Sequence, residues 1–157
     1  MTDTMTQPTT DATTDHAEAL QATLIELIEL SLQAKQAHWN LVGPTFKPLH
    51  EFLDDMTDEF RGWYDTVAER LAAIDVAPDG RTTTLAESAP FDQLPAGFLS
   101  IDKVIALFDE RVSAVARRIR QRIDRLGGID VISQGILIEI AHGLEKQRWM
   151  LRAHSRG

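Results

Sequence analysis

Apolar residues recur every three or four positions along four long segments of this 157-residue chain, which is the spacing of one face of an α-helix. A chain of this length has room for one domain with a core of its own. The spacing therefore predicts a single all-α domain, and no strand is expected. The second segment shows the pattern most clearly, with a stripe formed by Leu49, Phe52, Leu53, Met56, Phe60, Trp63, Val67, Leu71 and Ile74.

Turn-forming and capping residues set the bounds of the predicted helices. Asp15 and Glu18 resemble a capping box at the start of the first helix, which ends before Gly43. Ser100 and Asp130 suit the cap positions of the third and fourth helices. On this basis the helices are predicted over residues 15–42, 48–74, 100–126 and 130–153.

One connection is much longer than the others. Residues 77–97 contain three prolines and two glycines, so they predict a long crossover between the second and third helices, with one short helix near Leu85. Four long helices with one long crossover in the middle fit the ferritin-like variant of the four-helix bundle. We expect residues 1–16, which are rich in Thr and Asp, to be a disordered acidic arm, residues 17–154 to be the bundle and residues 155–157 to be a short tail.

Composition limits the chemistry that the chain can perform. It has no cysteine, which excludes disulfides and thiolate metal sites, so a metal ion must be bound by His, Asp or Glu. Its 24 acidic and 16 basic residues give a net charge of −8, which suits cations better than a nucleic-acid backbone. No apolar run approaches the length of a membrane helix, and the first residues lack the basic start of a secretory signal. We expect a soluble cytoplasmic protein.

The polar face of the second helix carries the candidate metal ligands. His50, Asp54, Asp65 and Glu69 fall on one side of a helical wheel, opposite the apolar stripe. The simplest interpretation is a solvated charged face. However, His50 and Asp54 are one turn apart, as are Asp65 and Glu69, so each pair offers ligands to one cation. The two pairs cannot share that cation within one chain, because Asp54 and Asp65 are separated by roughly 16 Å along the helix.

A second copy of the same helix would resolve this separation. If the two copies lay antiparallel across a two-fold axis, His50 would face the other chain's Glu69 and Asp54 would face its Asp65, because both pairs are centred on the same point of the helix. Asp58 and Arg61 are centred on that point as well and would form ion pairs near the axis. The spacing thus favours two identical metal sites per dimer.

Other histidines allow further interpretations. His38, at the end of the first helix, can fold back across the turn as a further ligand, or it can be a residue of the turn or core. Glu139 and His142 form a Glu-x-x-His pair, which binds a di-iron centre when a second copy of the pair exists. The sequence holds no second copy, because the residues three before His38 and His50 are lysines. The di-iron interpretation within one subunit is therefore less favoured.

The stretches KQAHWNLVGPTFKPLHEFLDD and WYDTVAERL resemble the signature of the Dps family of mini-ferritins, and LEKQRWMLRAH is similar to the family's last helix. The resemblance spans about residues 17–154. It implies a hollow homo-dodecamer, built from two-fold dimers, that oxidises Fe(II), preferably with hydrogen peroxide, and stores the ferric product. It also implies a ferroxidase centre shared across the dimer, with His38, His50 and Asp54 from one subunit and Asp65 and Glu69 from the other.

The resemblance leaves several residues open. Trp39, beside the site, either surrenders an electron to a stray oxidant or packs a dimer interface. Gly135 stands where many relatives place an acidic residue of the iron-entry pore, which leaves Asp124 and Asp130 as candidates. Relatives that compact DNA tend to carry a Lys-rich tail, which this chain lacks, so DNA binding is in doubt.

Two alternative functions belong to other classes. A nucleoid-compacting role is supported only by three arginines, Arg148, Arg152 and Arg156, at four-residue intervals near the end of the chain. A metal-dependent hydrolase is the other alternative, because a carboxylate and imidazole site can also activate water.

Overall fold

The computed structural model describes the backbone of residues 10–155 and the side chains of residues 14–155. The predicted all-α bundle with its long crossover is confirmed. The helices are α1 Thr10–Asn40, α2 Phe46–Ala73, α3 Thr82–Ser88, α4 Ile101–Leu126 and α5 Val131–His154, and two short strands are β1 Leu41–Val42 and β2 Leu99–Ser100. Helix α1 packs against α2, and α4 packs against α5, while the short α3 lies in the crossover against α1.

The four long helices enclose one hydrophobic core. All of them contribute side chains that are fully buried, and the apolar stripe predicted for α2 faces inward. Within residues 10–155, no helix combines the length and the apolarity that crossing a membrane requires. The largest fully buried side chains include Leu20, Leu27, Leu53, Met56, Phe60, Phe108, Ile119 and Leu137.

Two predicted caps are confirmed and the start of α1 is not. The Ser100 hydroxyl accepts a hydrogen bond from the Lys103 N–H, and the Asp130 carboxylate accepts from the first turn of α5. Helix α1 begins at Thr10 instead of Asp15, so residues 10–16 of the predicted arm are helical; residues 1–9 lie outside the described residues. At the end of this helical stretch His16 is buried, with Nδ1 3.7 Å from Asp130 Oδ2.

The expectation of no strand is wrong at one place. Leu41 and Val42 pair in parallel with Leu99 and Ser100, because the crossover returns to the turn between α1 and α2 before α4 begins. Gly43 has a φ of +146°, and a Cβ there would lie 2.7 Å from the Ile101 Cδ1 atom. The end of the crossover is therefore packed directly onto the turn that joins the two helices bearing His38 and His50.

Candidate metal centre

The imidazole rings of His38 and His50 lie face to face across the α1–α2 turn. Their centroids are 3.6 Å apart and the ring planes differ by 15°. His38 Nδ1 lies 2.7 Å from the His50 carbonyl oxygen, and His50 Nδ1 lies 2.8 Å from the His38 carbonyl oxygen. Each ring is thus fixed by the backbone of the other residue, twelve positions away in the sequence.

These two hydrogen bonds determine which nitrogen of each ring is available to a metal. A carbonyl oxygen only accepts hydrogen bonds, so Nδ1 of each histidine carries the proton. The Nε2 atom of each neutral ring then keeps its lone pair, which is the electron pair that a cation needs. Both side chains are half-buried, so the protein holds the two rings in place and leaves part of them exposed.

Asp54 follows His50 by one turn of α2 and completes what we call the half-site, comprising His38, His50 and Asp54. Its carboxylate accepts a hydrogen bond from the Lys35 ammonium. This bond is the main cause of a lowered pKa of Asp54; loss of hydration opposes the shift, and the charge of Lys35 and the two imidazoles add to it. Sequence reasoning missed the role of Lys35, although its position one turn before His38 was a usable signal.

The structure does not bring Asp65 and Glu69 to the half-site of the same chain. Both residues are exposed on α2. Asp65 lies eleven positions after Asp54, which is roughly 16 Å along the helix axis. Within the part of the chain that the structure describes, no three His, Asp or Glu side chains lie close enough together to hold a metal ion, and this includes the three of the half-site. One chain therefore presents an incomplete set of ligands.

The candidate pore residues differ in their surroundings. Asp130 is engaged inside the bundle, where Arg70 donates to both carboxylate oxygens at 3.0 and 3.1 Å. Burial raises the pKa of Asp130, but hydrogen bonds from Ser133 and Arg70 outweigh it and hold the pKa at about 2. Asp124 is exposed in a groove between α4 and α5 that His142 also lines. Of the two candidates, Asp124 has the more accessible carboxylate.

The residues cited for the alternatives are also on the surface. Glu139 and His142 are exposed on α5, one turn apart. Arg148 and Arg152 both donate to Asp109 Oδ1, at 2.8 and 3.0 Å, so their charges are partly neutralised within the chain. This pairing weakens the argument for a cationic row that binds DNA. Arg156 lies outside the described residues.

Exposed apolar side chains lie on α1 and on the turn that follows it, the same part of the chain that carries His38. Trp39 is 64% exposed, Leu32 is 53% exposed and Val42 is 43% exposed. Asp58 and Arg61, also on the outer face of α2, are exposed and lie 4.0 Å apart within the chain. Large apolar groups next to a set of polar ligands are typical of a surface that another protein covers.

Comparison with known proteins gives consistent results. The ferritin-like domain matches residues 17–156. The DNA protection during starvation protein 2 of Deinococcus radiodurans is 38% identical over 136 residues, which are 87% of this chain and only 56% of that relative. The DNA protection during starvation protein of Mycolicibacterium smegmatis is 34% identical over 140 residues, 89% of this chain and 76% of that relative.

A solved structure shares the fold closely. The structure of the Dps from Microbacterium arborescens in the high iron form superposes with a TM-score of 0.89 at 32% identity, covering 96% of this chain and 99% of that one. The resemblance seen in the residues around His38 and His50 is thereby confirmed over nearly the whole bundle. The chain belongs to the ferritin-like proteins and, among them, to the Dps family.

Proposed function

We propose that the protein is a ferroxidase and iron-storage mini-ferritin, which oxidises Fe(II), preferably with hydrogen peroxide, and stores the ferric product in a shell of identical subunits. The observation that carries the proposal is the stacked pair of His38 and His50, whose Nδ1 atoms are held by backbone carbonyls, with Asp54 one turn after His50 on α2. Imidazole and carboxylate groups suit Fe(II), and negative charge favours the ferric state. Iron is the substrate here.

A second chain completes the site in this proposal. Antiparallel packing of two α2 helices brings Asp65 and Glu69 of one chain to His38, His50 and Asp54 of the other, twice per dimer. The exposed apolar groups beside the half-site support such an interface, because burying Trp39 and its neighbours between chains is favourable. Asp58 and Arg61 then exchange their weak contact within α2 for contacts across the two-fold axis.

Six such dimers form the proposed shell. Twelve chains of 17.6 kDa give a particle of about 210 kDa. The family membership and the M. arborescens Dps, solved in a high iron form, support iron storage in this shell. The proposed shell is cytoplasmic.

The proposed reaction balances with iron and peroxide alone. Two ferrous ions each lose one electron, and these two electrons with two protons reduce one hydrogen peroxide molecule to two water molecules. Reduction in a two-electron step avoids releasing hydroxyl radical. The carboxylates of Asp54, Asp65 and Glu69 stabilise the increased positive charge of the ferric ions. In this proposal Trp39, next to His38 in the chain, either donates an electron to a stray oxidant or only packs the dimer interface.

The test is an anaerobic Fe(II) titration followed by one addition of hydrogen peroxide, with ferric formation read by absorbance. The wild type is expected to oxidise the bound iron rapidly, and His50→Ala with Asp54→Ala is expected to remove the fast phase. Glu139→Ala with His142→Ala is the matched control, which leaves the half-site untouched. Loss of activity in the control pair, with full activity in the half-site variant, would place the chemistry on α5 instead.

A further inference from the structure

A lysine ammonium already occupies part of the proposed iron site. Lys35 projects from α1 one turn before His38 and donates to Asp54 Oδ1. It is a cation bound to the only carboxylate of the half-site. A metal ion that uses the same oxygen must compete with this ammonium.

The charges of the completed site show what the ammonium does. The site proposed above has three carboxylates, from Asp54, Asp65 and Glu69, and two histidines, each of which is neutral when its Nε2 lone pair binds a metal ion while Nδ1 stays bonded to a carbonyl. With Lys35 in place the net charge is two negative, which one ferrous ion cancels. A second ferrous ion would then enter a site with no negative charge left and with a cation beside it, which is electrostatically unfavourable.

The Lys35 ammonium can also move away from Asp54 without any unfolding of the bundle. Its side chain is 26% exposed and that of Asp54 is 44% exposed, so the pair lies at the surface of the chain. The long flexible stem of lysine lets the ammonium move away from Asp54 while the α1 backbone stays in place. Displacement is thus a local event that depends on what competes for Asp54.

We propose that Lys35 limits each site to one tightly bound ferrous ion, and that the second ion binds only by displacing the ammonium from Asp54. The inference rests on the proposed function and adds a regulatory residue to that site. Iron then binds in order, and peroxide meets a complete pair of ferrous ions only when the supply of Fe(II) is high enough to release Lys35.

The experiment is an anaerobic calorimetric titration with Fe(II), repeated with the redox-stable Co(II). The wild type is expected to bind one ion per chain tightly. Lys35→Met keeps the length of the side chain and removes its charge, so it is expected to bind two ions per chain, with the affinity for the second raised about tenfold or more. Lys35→Gln is a second neutral variant in case the first assembles poorly.

Two variants serve as controls. Lys35→Arg keeps the positive charge and is expected to bind one ion tightly, like the wild type. Lys47→Met removes another lysine that pairs with a carboxylate, Glu51, but on the exposed start of α2 outside the half-site, so it is expected to change nothing.

The outcomes separate this inference from the proposed function. If the wild type binds no ferrous ion, both fail. If the wild type binds one ion and the neutral variants also bind one with unchanged affinity, or if the wild type binds two ions equally tightly, the role of Lys35 is wrong while the ferroxidase proposal stands.

Discussion

At the scale of residues, the half-site depends on backbone atoms as much as on side chains. The carbonyl oxygens of His38 and His50 hold the two imidazoles in one tautomer and in a stack. Side chains that are already held in the metal-binding geometry lose little conformational entropy when the metal ion binds. A substitution that keeps both imidazoles but shifts the turn between the helices would therefore weaken metal binding without removing any ligand.

Gly143 illustrates how strictly packing selects a residue on α5. A Cβ at this position would lie 2.5 Å from Trp63 Cη2, and the indole is fixed in turn by an edge contact with Phe60. We expect Gly143→Ala to lower the free energy of unfolding by about 1–3 kcal/mol through overpacking. Gly135→Ala on the same helix has open space and is expected to gain up to about 1 kcal/mol from helix propensity. Chemical denaturation measures the free energy of unfolding of both variants. If the two substitutions changed it equally, the packing argument would be contradicted.

Asp130 makes stability depend on pH. Its pKa of about 2 lies below the ordinary 3.8, so the hydrogen bonds from Ser133 and the ion pair with Arg70 stabilise the fold fully above pH 3.8 and lose this effect as the pH falls towards 2. Asp130→Asn can still cap α5, but its uncharged amide cannot form an ion pair with Arg70. We expect the thermal midpoint of this variant to lie below that of the wild type at about pH 6, with the gap narrowing by about pH 3.

The control for Asp130 is Asp124→Asn, which changes an exposed carboxylate near the same end of the bundle. Exposed charges contribute little to stability, so this variant is expected to melt close to the wild type at both pH values. A gap for Asp130→Asn that stays constant with pH would show that capping, and not the ion pair, accounts for the effect.

At the scale of elements, the crossover acts on the half-site through the α1–α2 turn. Strand β1 follows α1 directly and pairs with β2, so the turn that sets the distance between His38 and His50 is held by a segment almost sixty residues away. The crossover is also tied to α1 by Gln93, whose side-chain amide donates to Glu29 at 2.7 Å. The ligands on α1 and α2 are thus positioned by three elements.

Gly43 tests this coupling. Gly43→Ala would place a methyl group 2.7 Å from Ile101 and force a left-handed φ on alanine. We expect it to destabilise the chain and to reduce the affinity for Co(II) by several-fold, because the stack of His38 and His50 shifts. Gly97→Ala also forces a left-handed φ, but its Cβ meets nothing within 4 Å, so it is expected to cost stability and leave Co(II) affinity unchanged. Titration calorimetry measures the Co(II) affinity of both variants. An unchanged Co(II) affinity in Gly43→Ala would contradict the coupling between the crossover and the half-site.

The same elements show what could be predicted from the sequence. The helices and the caps at Ser100 and Asp130 follow from local spacing, which is why their prediction is confirmed. The strand pair could not be predicted, since it depends on a contact between distant segments, Leu41 with Leu99. The stack of His38 on His50 likewise depends on the geometry of the turn, which helix periodicity does not determine.

At the scale of the whole molecule, the central claim is that the site is shared between chains. A single chain presents His38 on α1 with His50 and Asp54 on the start of α2, and it presents Asp65 and Glu69 about three turns farther along α2. If the claim is right, His50→Ala with Asp54→Ala and Asp65→Ala with Glu69→Ala each abolish fast iron oxidation in a homogeneous shell. The two variants should nevertheless complement each other.

Mixing the two variant chains is the most direct measurement. In a mixed dimer one site keeps all of its ligands and its twin loses four of them, so random co-refolding is predicted to restore roughly a quarter of the wild-type rate of peroxide-driven Fe(II) oxidation. Native mass spectrometry confirms that both chains share dimers. If shells with mixed dimers prove as inactive as their parents, the site does not lie between the chains.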